Sequence, residues 1–343
     1  MNRCFIVRAT STFLMLAAMA GCSDSTNKHV VVFTSVDDVF ARPIAERFQQ
    51  KTAIQVDLVP DTEETKSTSL LNRLIAEKAR PRADVFWSGD PIRAAILKSK
   101  GVSAPYRPPQ AEGLPPQFSD PEGHWTGFSA RARVLLYNRN LVPKGQEPQS
   151  VLDLGDPRFK GKACMANPLF GTTSMHAAAL FANLGATDAR KFFERFAANQ
   201  GKILSSNGEV RRRIANGEFA VGLTDTDDYN VERQEGKPVG VVYPDADGMG
   251  TLIVPNSVVL IANGPNPEAG KKFIDYLLAP ETERALAESD AAQMPLRPGV
   301  PVPGHVTPLE RLNPMQVDYA KLGALLEDLT RGYLKEWVDK ESR

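Results

Sequence analysis

The segment VVVFTSVDDVF at residues 30–40 decides the fold, because it joins a strand to the start of a helix. Its β-branched run Val30–Thr34 is typical of a strand buried on both faces of a parallel sheet. Either Asp37 or Asp38 is positioned to cap the helix that follows. Apolar residues then recur at helical spacing from Phe40 to Phe48. The segment therefore predicts the first half of a β-α-β unit.

The same alternation continues along the chain. It predicts strands at Ile54–Val59 and Ala83–Trp87, and helices at Leu70–Ile75 and Pro91–Lys98. Strands separated by helices imply right-handed crossovers and a parallel sheet. Ligands of such sheets bind beyond the carboxyl ends of the strands, which here are Thr34–Asp38, Pro60–Lys66 and Trp87–Asp90.

Length and composition are those of a two-domain soluble protein. The chain has 343 residues, of which 42% are hydrophobic and 24% are charged. Basic and acidic residues both total 41, so no bulk charge draws the protein toward nucleic acid or an anionic membrane. We therefore expect no nucleic-acid partner.

The N-terminus is typical of a secreted lipoprotein. Arg3 and Arg8 precede the apolar run Phe13–Ala20, which is too short to span a bilayer. Small residues then come directly before Cys22, as in a bacterial lipobox. We interpret residues 1–21 as a signal peptide, Cys22 as the lipidation site and residues 22–29 as a polar tether. The alternative is an ordinary signal peptide with a chance cysteine.

A second α/β unit follows a proline-rich segment. The stretches Thr126–Tyr137 and Leu252–Ala262 are long and β-rich. Between them we predict strands at Cys164–Ala166 and Ala220–Leu223, and helices at Thr172–Leu184, Lys191–Ala198 and Val210–Asn216. After them we predict helices at Pro267–Leu278 and Glu281–Glu288, and one amphipathic helix over Leu322–Lys340.

Several short motifs carry a family likeness. They come in the order and approximate spacing of ferric-ion-binding periplasmic proteins, which the sequence therefore resembles between residues 30 and 300. The motifs are Ala83–Trp87, Ala130–Val134, Gly171–Thr173, Asn216–Glu218 and Pro295–Pro298. Each motif is weakly specific by itself, and their joint order makes the likeness.

The resemblance implies an α/β, two-lobed type II periplasmic-binding-protein fold with two hinge crossover strands. Lobe 1 would comprise residues 30–126 and 263–300, and lobe 2 residues 127–262. The crossover strands would lie at about 126–137 and 252–262, and residues 301–343 would form a C-terminal helical segment. The implied protein is a monomeric substrate-binding component of an ABC importer, with a permease and an ATPase as partners. It would sit on the periplasmic or cell-surface side, anchored by its lipid, and would close on a small ligand.

The resembled family holds ferric ion largely through a tyrosine pair, and this chain departs from that pattern. The matching positions are Asp227 and Asp228, with Tyr229 beside them, and the family's histidine and glutamate would fall near Asp37 and Asp90. Acidic residues crowded in a closed cleft require a cation, either a hard metal ion or an ammonium group. The alternative is that Asp225–Asp228 merely caps the next helix.

The opposite half of the predicted site is an anion pocket at a helix start. Backbone N–H groups and hydroxyls at Gly171, Thr172 and Thr173 would bind an oxyanion, unless they only cap the helix. Asn207 stands where the resembled family has an anion-contacting asparagine. Arg131 and Arg133 lie on a crossover strand, to contact an anion or to pair with cleft carboxylates. The full set of predicted ligand-binding residues is Asp37, Asp38, Glu64, Ser88, Asp90, Arg131, Gly171, Thr172, Thr173, Asn207, Asp225, Asp227, Asp228 and Tyr229.

Two ligand models remain open from the sequence. The first, which the resemblance implies, is Fe³⁺ or another hard cation held by Asp227 and Asp228 together with carbonate or phosphate. The second is a small phosphonate, aminoalkylphosphonate or phosphorylated organic solute, with its positive group at the acids and its negative group at Gly171–Thr173.

The sequence leaves two functional classes beside import, a sensory receptor subunit and, least favoured, a hydrolase. An enzyme is disfavoured, because the sequence has no nucleophile elbow, zinc-binding helix motif, Cys-x-x-Cys pair or dinucleotide fingerprint. We therefore predict a non-enzyme without a catalytic cofactor. A sensory receptor subunit would have the same fold and a similar sequence, and stays an alternative.

Overall fold

The computed structural model describes residue 1, residues 29–61 and residues 68–341. Lobe 1 begins with alternating strands and helices. These are β1 (His29–Thr34), α1 (Asp38–Thr52), β2 (Gln55–Pro60), α2 (Thr68–Ala76), β3 (Val85–Ser88), α3 (Pro91–Ser99) and the short β4 (Ser103–Ala104). Strand β1 pairs in parallel with both β2 and β3, as the opening segment of the sequence predicts.

Two long strands belong to both lobes. β5 (Thr126–Asn138) and β10 (Ile253–Ile261) pair with each other antiparallel. The first half of β5 continues the sheet of lobe 1, and its second half pairs with strands of lobe 2. Both strands are irregular near their crossing, because Ser129 has a φ of 34° and the register shifts between Pro255 and Asn256. Such irregularities are typical of the place where a strand bends from one lobe into the other.

Lobe 2 is a second α/β unit. Its elements are β6 (Ala163–Ala166), α4 (Gly171–Ala198), β7 (Lys202–Leu204), α5 (Asn207–Ala215), β8 (Val221–Asp225), α6 (Thr226–Gln234) and β9 (Val239–Val242). β6 pairs in parallel with β7 and β8, so their carboxyl ends meet at one edge. The two predicted helices Thr172–Leu184 and Lys191–Ala198 are the two parts of α4, interrupted at Gly185, where φ is 77°.

The chain then returns to lobe 1 through α7 (Pro267–Leu277) and α8 (Pro280–Glu288) and ends in two further helices. The prediction of one helix over Leu322–Lys340 is wrong, because α9 (Tyr319–Arg331) stops at Gly332 before α10 (Tyr333–Glu341) begins. Helix α9 packs against both α3 of lobe 1 and α4 of lobe 2. Trp337 of α10 packs edge-on against Phe193 of α4, with ring centroids 5.0 Å apart. The C-terminal helices therefore contact elements of both lobes.

The predicted fold class is confirmed, and the remaining boundaries stay predictions. The predicted signal peptide, the tether and Cys22 lie outside the described residues, apart from residues 1 and 29. None of the helices in the described part of the chain is long and apolar enough to cross a bilayer.

A tight backbone contact at the start of β5 yields a test of the packing around the hinge. A Cβ on Gly127 would overlap the backbone carbonyl oxygen of Phe118. We expect Gly127→Ala to lower the free energy of unfolding by about 1–3 kcal/mol, measured by denaturant titration. The control is Gly304→Ala, because no atom lies within 4 Å of a Cβ at that position. Equal stability of the two variants would contradict the described path of β5.

Candidate functional site

The candidate site lies in the cleft between the lobes, where the strands of both lobes end. Lobe 1 contributes the residues after β1 and β3, and lobe 2 contributes the start of α4 and the residues after β6, β7 and β8. The lining residues are Ser35, Gly89, Asp90, Arg131, Ala166, Asn167, Phe170, Gly171, Thr172, Thr173, Ser205, Ser206, Asn207 and Asp225.

A buried ion pair forms the base of the pocket. Arg133 on β5 lies directly opposite Asp225 on β8 and has no solvent-exposed surface. Its Nη1 atom donates to Asp225 Oδ1 at 2.7 Å and to Thr172 Oγ1 at 2.8 Å. Its Nη2 atom donates to Thr173 Oγ1 at 3.1 Å. Burial alone would raise the pKa of Asp225, but Arg133 and then Arg131 lower it overall.

The hydroxyl of Thr172 is fully used inside the protein. Its oxygen accepts hydrogen bonds from Arg133 and from Asn207 Nδ2, each at 2.8 Å, and its proton is donated to Asp225 Oδ2 at 2.8 Å. A hydroxyl has one proton and two lone pairs, so nothing remains for a ligand. The hydroxyl of Thr173 donates only across 3.3 Å to Asn207 Oδ1 and is easier to redirect. The hydroxyl of Thr172 therefore has a structural role, whereas the hydroxyl of Thr173 can form a hydrogen bond with a ligand.

Backbone N–H groups supply the anion-binding character of this wall. Helix α4 starts at Gly171. The N-cap residue before it, Phe170, makes no side-chain hydrogen bond to the helix. The first N–H groups of a helix have no acceptor within the helix, and the helix dipole is positive at this end. Gly171 has a φ of 54°, which a residue with a side chain adopts only with strain.

Arg131 lies across the pocket from α4 and is surrounded by carboxylates. It is 8% exposed, and its Nη1 atom lies 3.6 Å from Asp227 Oδ2 and 3.8 Å from Asp225 Oδ2. Burial alone would lower the pKa of Arg131, but the nearby carboxylates, Asp37 and Asp90 among them, raise it overall. This guanidinium stays charged and fixes the electrostatics of the cleft.

The acidic segment at the start of α6 has the spacing of a metal site. One carboxylate oxygen each from Asp225, Asp227 and Asp228 lies within 4.8 Å of the other two. Asp228 also caps the helix, since it accepts from the backbone N–H of Asp225 and from the hydroxyl of Thr224. Burial, followed by the charges of Asp227 and Asp225, raises the pKa of Asp228 to about 8. Both sequence interpretations, helix cap and cation cluster, thus describe the same residues.

One arginine connects the two lobes beside the pocket. Arg93 of α3 is 3% exposed and lies 3.4 Å from Asp90, which caps the same helix. Its Nη2 atom donates to Ser174 Oγ at 2.9 Å, and its Nη1 atom to the carbonyl of Gly171 at 3.5 Å. This contact joins lobe 1 to the start of α4 beside the pocket.

The structure brings many, but not all, of the predicted residues to the cleft. The pocket is lined by the predicted residues Asp90, Arg131, Gly171, Thr172, Thr173, Asn207 and Asp225. Asp37 and Asp227 act on Arg131 without lining the pocket, and Ser88 is buried below it. Asp38 pairs with Arg42 on an exposed surface, and Tyr229 packs against the apolar core of lobe 2. Glu64 lies outside the described residues.

Several residues of the site were not predicted from the sequence. Ser35 and Gly89 fall within strand ends that the sequence marks as ligand-binding, but no motif distinguishes them. Asn167, Phe170, Ser205 and Ser206 line lobe 2 and also lack a motif. His176, behind Thr173, is 1% exposed, and neither ring nitrogen has a hydrogen-bond partner among the described residues. Burial, followed by the charge of Arg133, lowers its pKa to about 3, so it is neutral.

Comparisons with known proteins agree with this geometry. The family model described as bacterial extracellular solute-binding protein matches residues 81–321. The Iron uptake protein A1 of Synechocystis is 28% identical over 303 residues, which cover 83% of this chain and 80% of that protein.

Solved structures share the whole two-lobed fold. Iron-bound HitA from Pseudomonas aeruginosa superposes with a TM-score of 0.79 at 24% identity, covering 88% of this chain and 98% of HitA. The periplasmic binding protein AfuA from Actinobacillus pleuropneumoniae, solved with fructose-6-phosphate, has a TM-score of 0.79 at 25% identity. That superposition covers 92% of this chain and 98% of AfuA.

The raised pKa of Asp228 predicts a pH dependence of stability. A carboxyl group whose pKa rises on folding binds protons more tightly in the folded state. The free energy of unfolding therefore falls as the pH rises from the ordinary value of 3.8 toward about 8. Between about pH 5 and pH 8, the free energy of unfolding of Asp228→Asn should fall by at least about 1 kcal/mol less than that of the wild type. The measurement is denaturant titration at each pH.

The control for this measurement is Asp188→Asn, which removes a 63% exposed carboxylate of α4. Its stability should follow the wild-type curve over the same pH range. Parallel curves for Asp228→Asn and the wild type would contradict the proposed protonation of Asp228.

Proposed function

The chain belongs to the bacterial extracellular solute-binding protein family, and from this we propose that it delivers a ligand bearing an oxyanion to an ABC importer. The first candidate ligand is a metal ion of the iron type, bound together with the oxyanion. In this role the two lobes close over the ligand, and a membrane permease with its ATPase receives it.

The observation that carries this proposal is the positive wall of the pocket. Uncapped N–H groups at the start of α4 face the same space as Arg131, which is more than nine-tenths buried. The Nε atom of Arg131 has no hydrogen-bond partner among the described residues. A bound oxyanion would gain from the charge of this guanidinium and from the N–H groups at the start of the helix.

A metal ion accompanying the oxyanion is supported by names of relatives and by the acidic cluster. Relatives include an iron uptake protein and a major ferric iron-binding protein. Asp225, Asp227 and Asp228 offer oxygen ligands at a spacing that suits a hard cation. Carbonate or phosphate would fill the remaining coordination from the α4 side.

A small phosphorylated or phosphonate solute is the second candidate, and the arginines favour it. Asp225 is already paired with Arg133 at 2.7 Å, and Asp227 lies 3.6 Å from Arg131. None of the described residues that line the pocket is a tyrosine. A structural neighbour, AfuA, was solved with a sugar phosphate. The oxyanion is common to both candidates.

Binding without catalysis fits this arrangement. The carboxylates of the cleft are engaged by arginines or serve as helix caps, and the neutral His176 lies behind the pocket wall. We therefore propose a non-enzymatic role in import. A sensory role would use the same closure and differs only in the membrane partner.

The N-terminal sequence supports a lipid anchor. Cleavage before Cys22 would leave a monomeric two-lobed protein tethered to the outer face of a membrane, near its permease. The tether would allow the lobes to open and close freely.

The ligand candidates are separated by native mass spectrometry and elemental analysis of the purified mature protein. If a metal ion is the cargo, iron or another hard cation co-purifies, and Asp227→Ala weakens its binding at least about tenfold, since a ligand oxygen is lost. If an organic phosphate is the cargo, phosphorus co-purifies without stoichiometric metal. The control is Asp188→Asn, which should bind as the wild type does. Absence of both elements, together with no measurable binding of phosphate or ferric ion, would contradict the proposal.

The lipid anchor is tested at Cys22. We expect Cys22→Ala to abolish incorporation of labelled palmitate and to leave an uncleaved precursor or an unanchored protein, since the thioether needs that sulfur. The matched control is Cys4→Ala, because Cys4 would be removed with the signal peptide. Normal labelling of Cys22→Ala would exclude the anchor.

A further inference from the structure

We propose that Arg131 determines the charge preference of the cleft, acting as a built-in counter-ion for the aspartates so that the pocket selects a phosphate group without a metal ion. This inference rests on the proposed oxyanion site and favours the second of its two candidate ligands. A phosphomonoester and free inorganic phosphate both present this group.

The position of Arg131 is fixed by the backbone of both lobes. It lies on β5, the strand that both lobes share, and pairs across the sheet with Val254 of β10. Its Nη2 atom donates to the carbonyl of Gly89, the residue after β3. Glycine permits this approach, because a Cβ at position 89 would lie only 3.1 Å from that nitrogen. The guanidinium is therefore held at one place in the pocket.

The carboxylates that a metal ion would need are already engaged. Asp225 Oδ1 accepts from Arg133, and Asp225 Oδ2 accepts from Thr172 and, at 3.1 Å, from Asn207. Asp228 Oδ1 lies 3.3 Å from Arg211 Nε, and its other oxygen accepts from Thr224. A metal ion at this cluster would have to displace these donors.

A metal ion here would also lie close to fixed positive charges. Arg131 Nη1 is within 4 Å of both Asp225 and Asp227, and Arg133 is fully buried beside them. Like charges at such distances in a buried site repel strongly. A phosphate, in contrast, gains from the same guanidinium, whose planar donors match its oxygens.

Removal of Arg131 should therefore reverse the preference of the site. Asp225 and Asp227 would lose a shared counter-ion, and the charges of Asp37 and Asp90 would lose one as well. The same cleft would then resemble an acidic cation site. Arg131 is thus inferred to be a specificity-determining residue.

The test uses isothermal titration calorimetry on the mature wild-type protein and on Arg131→Gln. The probes are inorganic phosphate, glycerol phosphate, and Ga³⁺ as a redox-inert substitute for ferric ion. We expect the wild type to bind at least one phosphate probe equally well after metal removal by chelating resin. We expect Arg131→Gln to lose about tenfold or more in phosphate affinity and to gain about tenfold or more in Ga³⁺ affinity. Preference between the two phosphate probes identifies the source of the group.

The matched control is Arg211→Gln, which removes the same charge from the same acidic cluster. Arg211 pairs with Asp228 at 3.3 Å and with Glu232 at 2.6 Å but does not line the pocket. Its phosphate affinity should stay within about twofold of the wild type. Arg131→Lys keeps the charge if the glutamine variant does not fold, and it should gain no affinity for Ga³⁺.

Several outcomes would overturn the inference. The first is phosphate binding by the wild type that disappears on metal removal. The second is an unchanged phosphate affinity in Arg131→Gln. The third is a gain in Ga³⁺ affinity in Arg131→Lys or Arg211→Gln as large as that expected for Arg131→Gln. A wild type that binds none of the probes would instead contradict the proposed oxyanion site itself. The two failures are therefore distinguishable.

Discussion

The buried ion pair between Arg133 and Asp225 is the interaction on which the cleft depends. It joins facing positions of β5 and β8, and the same guanidinium holds both threonines at the start of α4. Loss of one partner from a buried pair typically costs about 3–5 kcal/mol, because the other charge is left uncompensated. A strand shared by both lobes thus also fixes the helix end that faces the ligand. These hydrogen bonds fix the lobe 2 side of the site to β5 and β8.

Charge in the cleft is arranged in layers. Arg133 stabilises lobe 2 through its ion pair with Asp225. Arg131 lines the pocket, between the aspartates and the uncapped end of α4. A fold shared with an iron-binding relative therefore does not by itself determine the ligand. Substitution of a few side chains in the cleft changes whether it binds a positive or a negative ligand. This sequence has Asp227 and Asp228 at the positions that the resemblance assigns to the tyrosine pair.

Much of the fold followed from sequence periodicity, and part of the site followed from topology. Parallel strands place their carboxyl ends together, which is why Asp90, Gly171 and Asn207 converge although they are distant in sequence. The role of Arg133 was open, because it depends on the register of β5 against β8. The saturation of the Thr172 hydroxyl depends on atomic distances that no pattern contains. Ser205 and Ser206 are ordinary polar loop residues until the fold brings them to the pocket, and the break at Gly332 lay inside an uninterrupted apolar period.

The contact of Arg93 with the start of α4 has a kinetic meaning. Arg93 of lobe 1 donates hydrogen bonds to the carbonyl of Gly171 and to the hydroxyl of Ser174, both in lobe 2 beside the pocket. Separation of the two lobes has to break these hydrogen bonds, so they slow the opening of the cleft and the release of any bound molecule.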